Sequence, residues 1–140
     1  TIPVGAKYAR FSTFDADYPA GTDLDVFVYK AGTTTLLGSS TGGSAEEEVN
    51  LPQPAGGAVD VYVDLYAGAN EQQVKLNHWE LQQAETNLTV TPASQQVTVA
   101  GRTSVTANWT GLTVGTRYLG QLQFSDGADG SGNTILRVDS

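Results

Sequence analysis

Residues 59–67, VDVYVDLYA, alternate in chemistry without a break. Side chains two positions apart point the same way only in extended backbone. Val59, Val61, Val63 and Leu65 therefore share one face, and Asp60, Tyr62 and Asp64 the other. Such a segment buries one face and must hydrogen-bond its backbone to neighbours, so it commits the chain to sheets. The same period recurs upstream. Leu24, Val26 and Val28 oppose Asp25, Phe27 and Tyr29, while Tyr8, Arg10, Ser12 and Phe14 oppose Ala9, Phe11 and Thr13. Turn-forming AGTTT precedes Leu36 and Leu37, residues 45–51 read as extended, and PQPAGG at 52–57 reads as a loop.

Residues 71–85, EQQVKLNHWELQQAE, are ambiguous. Their Glu, Gln, Leu and Lys content suits a helix, with Val74, His78 and Leu81 on one face. Val74 and Leu76 also alternate, and Trp79 and Leu81 alternate on the opposite parity, which fits a strand with a bulge near His78. The strand is preferred because its neighbours are strands. From Asn87 onward, further strands are predicted at Leu88–Thr91, 96–99, 104–109, 118–124 and 135–138, punctuated by Gly101, Gly111, Gly115 and the tract DGADGSGN. QQAETN at 82–87 is a candidate linker. The expected fold class is all-β: an antiparallel β-sandwich, jelly-roll-like, over 1–84, with a smaller immunoglobulin- or fibronectin type III-like β unit over 85–140. The second part is small for a free-standing sandwich, so it is expected to pack against the first.

Only 16% of the 140 residues are charged, against about 25% in an average soluble domain. The polar surface must come from Thr, Ser, Asn, Gln and Gly. Cysteine is absent, which removes disulfides, thiolate metal sites and cysteine catalysis. Methionine is absent too, position 1 included, so the chain is expected to be a processed or excised piece of a longer protein. A signal peptide would lie upstream of Thr1, and no apolar run approaches the ~20 residues of a membrane span. The net charge of −8 repels phosphate backbones, so nucleic acid is an unexpected partner.

The segment LLGSSTG at 36–42 spells G-x-S-x-G around Ser40. That string is a nucleophile elbow only where a strand enters the turn and a helix leaves it. Here Thr-Gly-Gly-Ser follows, then AEEEVNL, with no apolar helical stripe, and NLPQP ends any helix. Asp60, Asp64 and the single His78 follow in the nominal order of a triad, but the chain is too short for crossover helices. Ser40 is therefore read as part of a Gly/Ser hairpin loop. His78, beside Trp79, is read as a packed or surface residue, since no second His and no Cys completes a transition-metal set. No catalytic residue is assigned.

Asp15, Asp17, Asp23 and Asp25 flank a short Pro/Gly loop as two i, i+2 pairs. Carboxylates at adjoining strand ends suit Ca²⁺, which takes six to eight oxygen ligands. The competing reading is a solvated acidic loop. DGADGSGN fails the EF-hand register and reads as a hairpin loop. Asn87-Leu-Thr89 and Asn108-Trp-Thr110 are formal glycosylation sequons. Tyr29, Tyr62 and Tyr66 stand on outward faces beside Asp60 and Asp64, where they either bind peptide or glycan by stacking or lie under the second part.

Tyr8-Ala-Arg-Phe-Ser12 leading into Phe14-Asp15, Asp23-Leu-Asp25 before VFVY, and GSS followed by SAEEEVNL form a combination of strand and turn patterns. With VDVYVDLYA, NLTVTP and NWTGLTVGTRYLGQLQFSDG, it resembles the β-sandwich region that follows the catalytic domain in secreted bacterial subtilisin-like serine peptidases. The likeness runs over nearly the whole chain. It implies an extracellular, non-catalytic appendage similar to pre-peptidase C-terminal domains, followed by a fibronectin type III- or immunoglobulin-like portion. The implied partner is an upstream peptidase domain in the same chain. Some such sandwiches bind calcium through acidic loops, and by resemblance Asp15, Asp17, Asp23 and Asp25 are the candidates. The expected function is an accessory domain that stabilises the protease or assists substrate or surface binding. The alternatives are a calcium-dependent carbohydrate- or matrix-binding module and a structural or secretion spacer.

Overall fold

Alternation becomes strand wherever a second strand lies ready to pair with it. A computed structural model describes residues 1–71, 73–127 and 131–140. The backbone gathers into two compact units, Thr1–Gln83 and Ala84–Ser140. The first holds β1 (Tyr8–Ser12), β2 (Asp23–Lys30), β3 (Leu36–Ser40), β4 (Glu48–Pro52), β5 (Val59–Ala67) and β6 (Asn77–Leu81). The second holds β7 (Leu88–Thr91), β8 (Thr106–Trp109), β9 (Arg117–Ser125) and β10 (Ser131–Asp139). The described residues contain no α-helix, only a three-residue 3-10 turn at Asp15–Asp17.

In the first unit two three-stranded antiparallel sheets, β4-β1-β6 and β3-β2-β5, share one core. Ala9 and Phe11 of β1, Val49 and Leu51 of β4, and Val26 and Val28 of β2 form it, closed by Val59, Val61 and Val63 of β5. This is a β-sandwich, as the alternation predicts. Leu24, Val26 and Val28 are fully buried, each stabilising the fold by about 1.5–3 kcal/mol. Ile2 joins the core, because its backbone makes two 2.8 Å hydrogen bonds with Gly57. At Gly56, with φ +80°, a Cβ would lie 2.9 Å from the Val4 backbone, so the 52–57 loop needs glycine there.

β1 is buried on both faces. Its second face carries a polar network. Asn50 accepts from Tyr8 Oη and from Arg10 Nε, both at 2.7 Å, and Arg10 pairs with Glu48 at 2.8 Å. The register of β1 on β4 brings these residues side by side, Tyr8 opposite Pro52 and Arg10 opposite Asn50.

Of the ambiguous segment at 71–85, Asn77–Leu81 forms a strand and no described residue is helical. β6 pairs with β1 in unbroken register from Tyr8–Leu81 to Ser12–Asn77, so the bulge expected near His78 is not there. The parity switch is accommodated because Leu76 reaches the core from just before the strand begins. In the second unit β7 pairs with β8 and β9 with β10, all antiparallel. Gly120 of β9 faces Leu88 and Trp109, 3.1 Å and 3.8 Å from where its Cβ would stand, so the two hairpins pack closely there. The strand expected at 96–99 does not form. Val97 and Val99 are exposed, and the segment ends in a turn closed by Gly101 N–H on Thr98 O at 2.8 Å. Two valines alternate there, but no strand pairs with them. In DGADGSGN, residues 128–130 lie outside the described residues, and Gly132 and Asn133 belong to β10 rather than to a loop.

Candidate functional site

Ser40 is the last residue of β3, not part of a loop, which corrects the hairpin-loop reading. Its hydroxyl donates to Glu47 Oε2 and accepts from the Glu48 N–H at 3.1 Å. Gly42 N–H donates to the other carboxylate oxygen at 2.6 Å. Glu47 is 1% exposed. Its backbone oxygen accepts from Thr13 N–H at 3.0 Å, and Thr13 Oγ1 donates to Ala45 O at 2.7 Å. The carboxylate thus organises the connection between β3 and β4.

The two glycines of the motif serve the same packing. A Cβ at Gly38 would stand 2.8 Å from Val49 Cγ1, and one at Gly42 would stand 2.5 Å from Glu47 Oε1. His78 lies elsewhere. β4 and β6 flank β1 on opposite sides; Ser40 bonds to the β4 backbone, whereas His78 is on β6. The imidazole contacts Glu80 at 3.0 Å through Nδ1 and stacks on Phe11, with centroids 6.3 Å apart. Ser40 and His78 form no pair.

The four candidate calcium ligands are dispersed along their elements. Asp15 and Asp17 occupy the 3-10 turn, and Asp17 pairs with Lys75 Nζ at 2.9 Å. Asp23 opens β2 with its Oδ1 buried and without a hydrogen bond. Asp25 stands directly across from Asp64 of β5. Among the described residues, no three His, Cys, Asp or Glu side chains gather into a metal-holding group.

The outward face of β3-β2-β5 is where sequence-predicted residues converge. Tyr29 and Tyr62 meet edge to face, their centroids 5.7 Å apart at 84°. Phe27 pairs with Tyr62 across the strands. With Thr33, Thr34 and Asp64, these rings line an open concavity of about 540 Å³. The Thr33–Thr35 turn forms part of its wall and is held firmly. Gly32 N–H donates to Asp60 Oδ2 at 2.9 Å, and Thr33 Oγ1 donates to Lys30 O at 2.8 Å. Tyr62 and Tyr66 are exposed, but Tyr66, at 78% exposure, does not line the concavity. Phe27, Thr33, Thr34 and Asp64 were missing from the predicted site. Phe27 shares the parity of Tyr29 and could have been found that way, whereas the threonines sit in a turn whose placement no periodicity encodes.

In the second unit Tyr118, at the start of β9, accepts a 2.9 Å hydrogen bond from Thr113 N–H. That donor, with the Thr113 side chain next and the Thr116 side chain last, outweighs the opposing effect of burial and lowers the phenol below its ordinary pKa. Fold and site together define two antiparallel β units, without an α-helix among the described residues, one of them a sandwich with an aromatic concavity on an outer face. The chain matches no family model, no curated protein and no solved structure.

Proposed function

We propose that this chain is a non-catalytic accessory module of a secreted subtilisin-like serine endopeptidase, one that holds polypeptide or glycan on the outer face of β3-β2-β5. The observation that carries the reading is the concavity lined by Phe27, Tyr29 and Tyr62. The rings stand on paired strands over a closed core, so they are presented with little loss of side-chain freedom on binding. Tethered to a catalytic domain, such a face raises the local concentration of substrate. Ser40 supports the non-catalytic part, because its O–H is given to a buried carboxylate and not to His78. Tyr118 supports an immunoglobulin-like second unit, since a tyrosine at a strand start bonded to backbone a few residues upstream is a corner used by such sandwiches.

The test is the purified chain. It should turn over neither an activated ester nor a denatured protein. It should be retained by insoluble protein or polysaccharide, and Tyr62→Ala should abolish that retention. Ester or peptide hydrolysis lost in Ser40→Ala would overturn the reading. A second reading, calcium-dependent binding, draws on the unpartnered buried Oδ1 of Asp23. A cation near Asp17 would have to displace the Lys75 ammonium. Loss of retention in chelator, restored by Ca²⁺, would favour it.

A further inference from the structure

We infer that the concavity on β3-β2-β5 takes a cationic segment of polypeptide, an arginine or lysine side chain lying over Tyr29 and Tyr62 with its charge between Asp25 and Asp64. This rests on the aromatic face being a binding face, and it names the ligand class. Asp25 and Asp64 are directly opposed on neighbouring strands. Like charges in that position destabilise the pair that carries them. Neither carboxylate takes a hydrogen bond or an ion pair among the described residues, although both stand on the outward parity of their strands. Asp60 adds a third carboxylate to the same face. The outward-parity positions of β2 are Asp23, Asp25, Phe27 and Tyr29, and those of β5 are Asp60, Tyr62, Asp64 and Tyr66, so they include no lysine or arginine.

A neutral sugar would stack on the rings but leave the carboxylates repelling one another. A guanidinium satisfies both features at once. Its flat face lies on a tyrosine ring, and its edge donates paired hydrogen bonds to a carboxylate. The concavity is open, so an extended chain can cross it without threading. The net charge of −8 favours approach of a cationic partner from a distance.

The experiment measures binding of a fluorescent oligo-arginine peptide to the full chain by anisotropy. An uncharged peptide of equal length, a soluble neutral glucan and Ca²⁺ alone serve as the other probes. Asp25→Asn with Asp64→Asn, and separately Tyr62→Ala, should each weaken oligo-arginine binding about tenfold. All three sites lie on an outward face, so circular dichroism should report an unchanged fold. A charge-matched control in the second unit, Glu85→Gln with Asp139→Asn, should change binding by less than about twofold, the limit for screened surface charge. Equal weakening by the control and the face variants would overturn the inference, leaving only general attraction to an acidic surface. Tighter binding of the glucan, lost in Tyr62→Ala, would also overturn it while sparing the binding face. So would Ca²⁺ binding that disappears with Asp25 and Asp64. Retention of no probe at all would remove the binding face as well.

Discussion

Replacing Ser40 with alanine tests the structural account of the G-x-S-x-G string directly. The hydroxyl makes a charge-assisted hydrogen bond to Glu47, which is 1% exposed, and receives one from Glu48 N–H at 3.1 Å. The Glu48 N–H is exposed, so water replaces its partner at little cost. The Glu47 oxygen is enclosed, so its loss is felt nearly in full, leaving only the Gly42 N–H on the other oxygen. Hydrogen bonds to charged groups contribute about 1.5–3 kcal/mol, and leaving a buried charge short of a partner falls toward the upper end. Ser40→Ala should therefore destabilise the first unit by about 2–3 kcal/mol, which lowers its melting temperature by about 10–20 °C for a unit of this size. Urea titration read by hydrogen exchange of peptides spanning 36–52 follows this unit alone. A double-mutant cycle with Glu47→Gln should give a coupling of about 1–2 kcal/mol, and the second change should recover stability in the Ser40→Ala background. A loss below about 0.5 kcal/mol, or no coupling, would refute the argument, because surface substitutions away from any special feature stay within that range.

Gly38→Ala places a Cβ 2.8 Å from Val49 Cγ1, so overpacking should cost about 1–3 kcal/mol in chemical denaturation. Adding Val49→Ala should relieve part of that clash, and no relief would sink the explanation. Arg10→Met removes the partner of Glu48 and one donor to Asn50. With Glu48 partly exposed, the expected loss of stability is about 2–3 kcal/mol, and a neutral result would show the network to be dispensable. Tyr118 should ionise below the ordinary tyrosine value of about 10, because the Thr113 N–H stabilises the phenolate oxygen. The sign follows from linkage. The folded state releases this proton first, so the added stability is complete above the unfolded value and fades as pH falls through the folded one. Phenolate absorbance of the parent minus that of Tyr118→Phe isolates the group, and a midpoint at or above the ordinary value contradicts the contact.

Much of the fold was written locally. The alternation in VDVYVDLYA and DLDVFVY appears as β5 and β2, with Leu24, Val26 and Val28 fully buried. Leu88–Thr91 is a strand over the predicted residues. The failures share one cause. Residues 96–99 have strand-like alternation but no neighbour to bond with, while Ser40 looked like a loop residue and became part of a strand because β2 pairs with it through Val26. His78 looked bulged because parity was counted without the partner β1, whose register runs through it unbroken.

The site divides in the same way. Parity alone puts Tyr29 and Tyr62 on outward faces. That they touch, with Phe27 beside them, follows from a register joining residues more than thirty positions apart. The opposition of Asp25 and Asp64 has the same origin, and so does the burial of Glu47 under Ser40 and Gly42. Side-chain direction is a property of each strand's own backbone and can be read one residue at a time. Which strand lies alongside which depends on closing the sandwich around a shared core, and only the folded chain decides it.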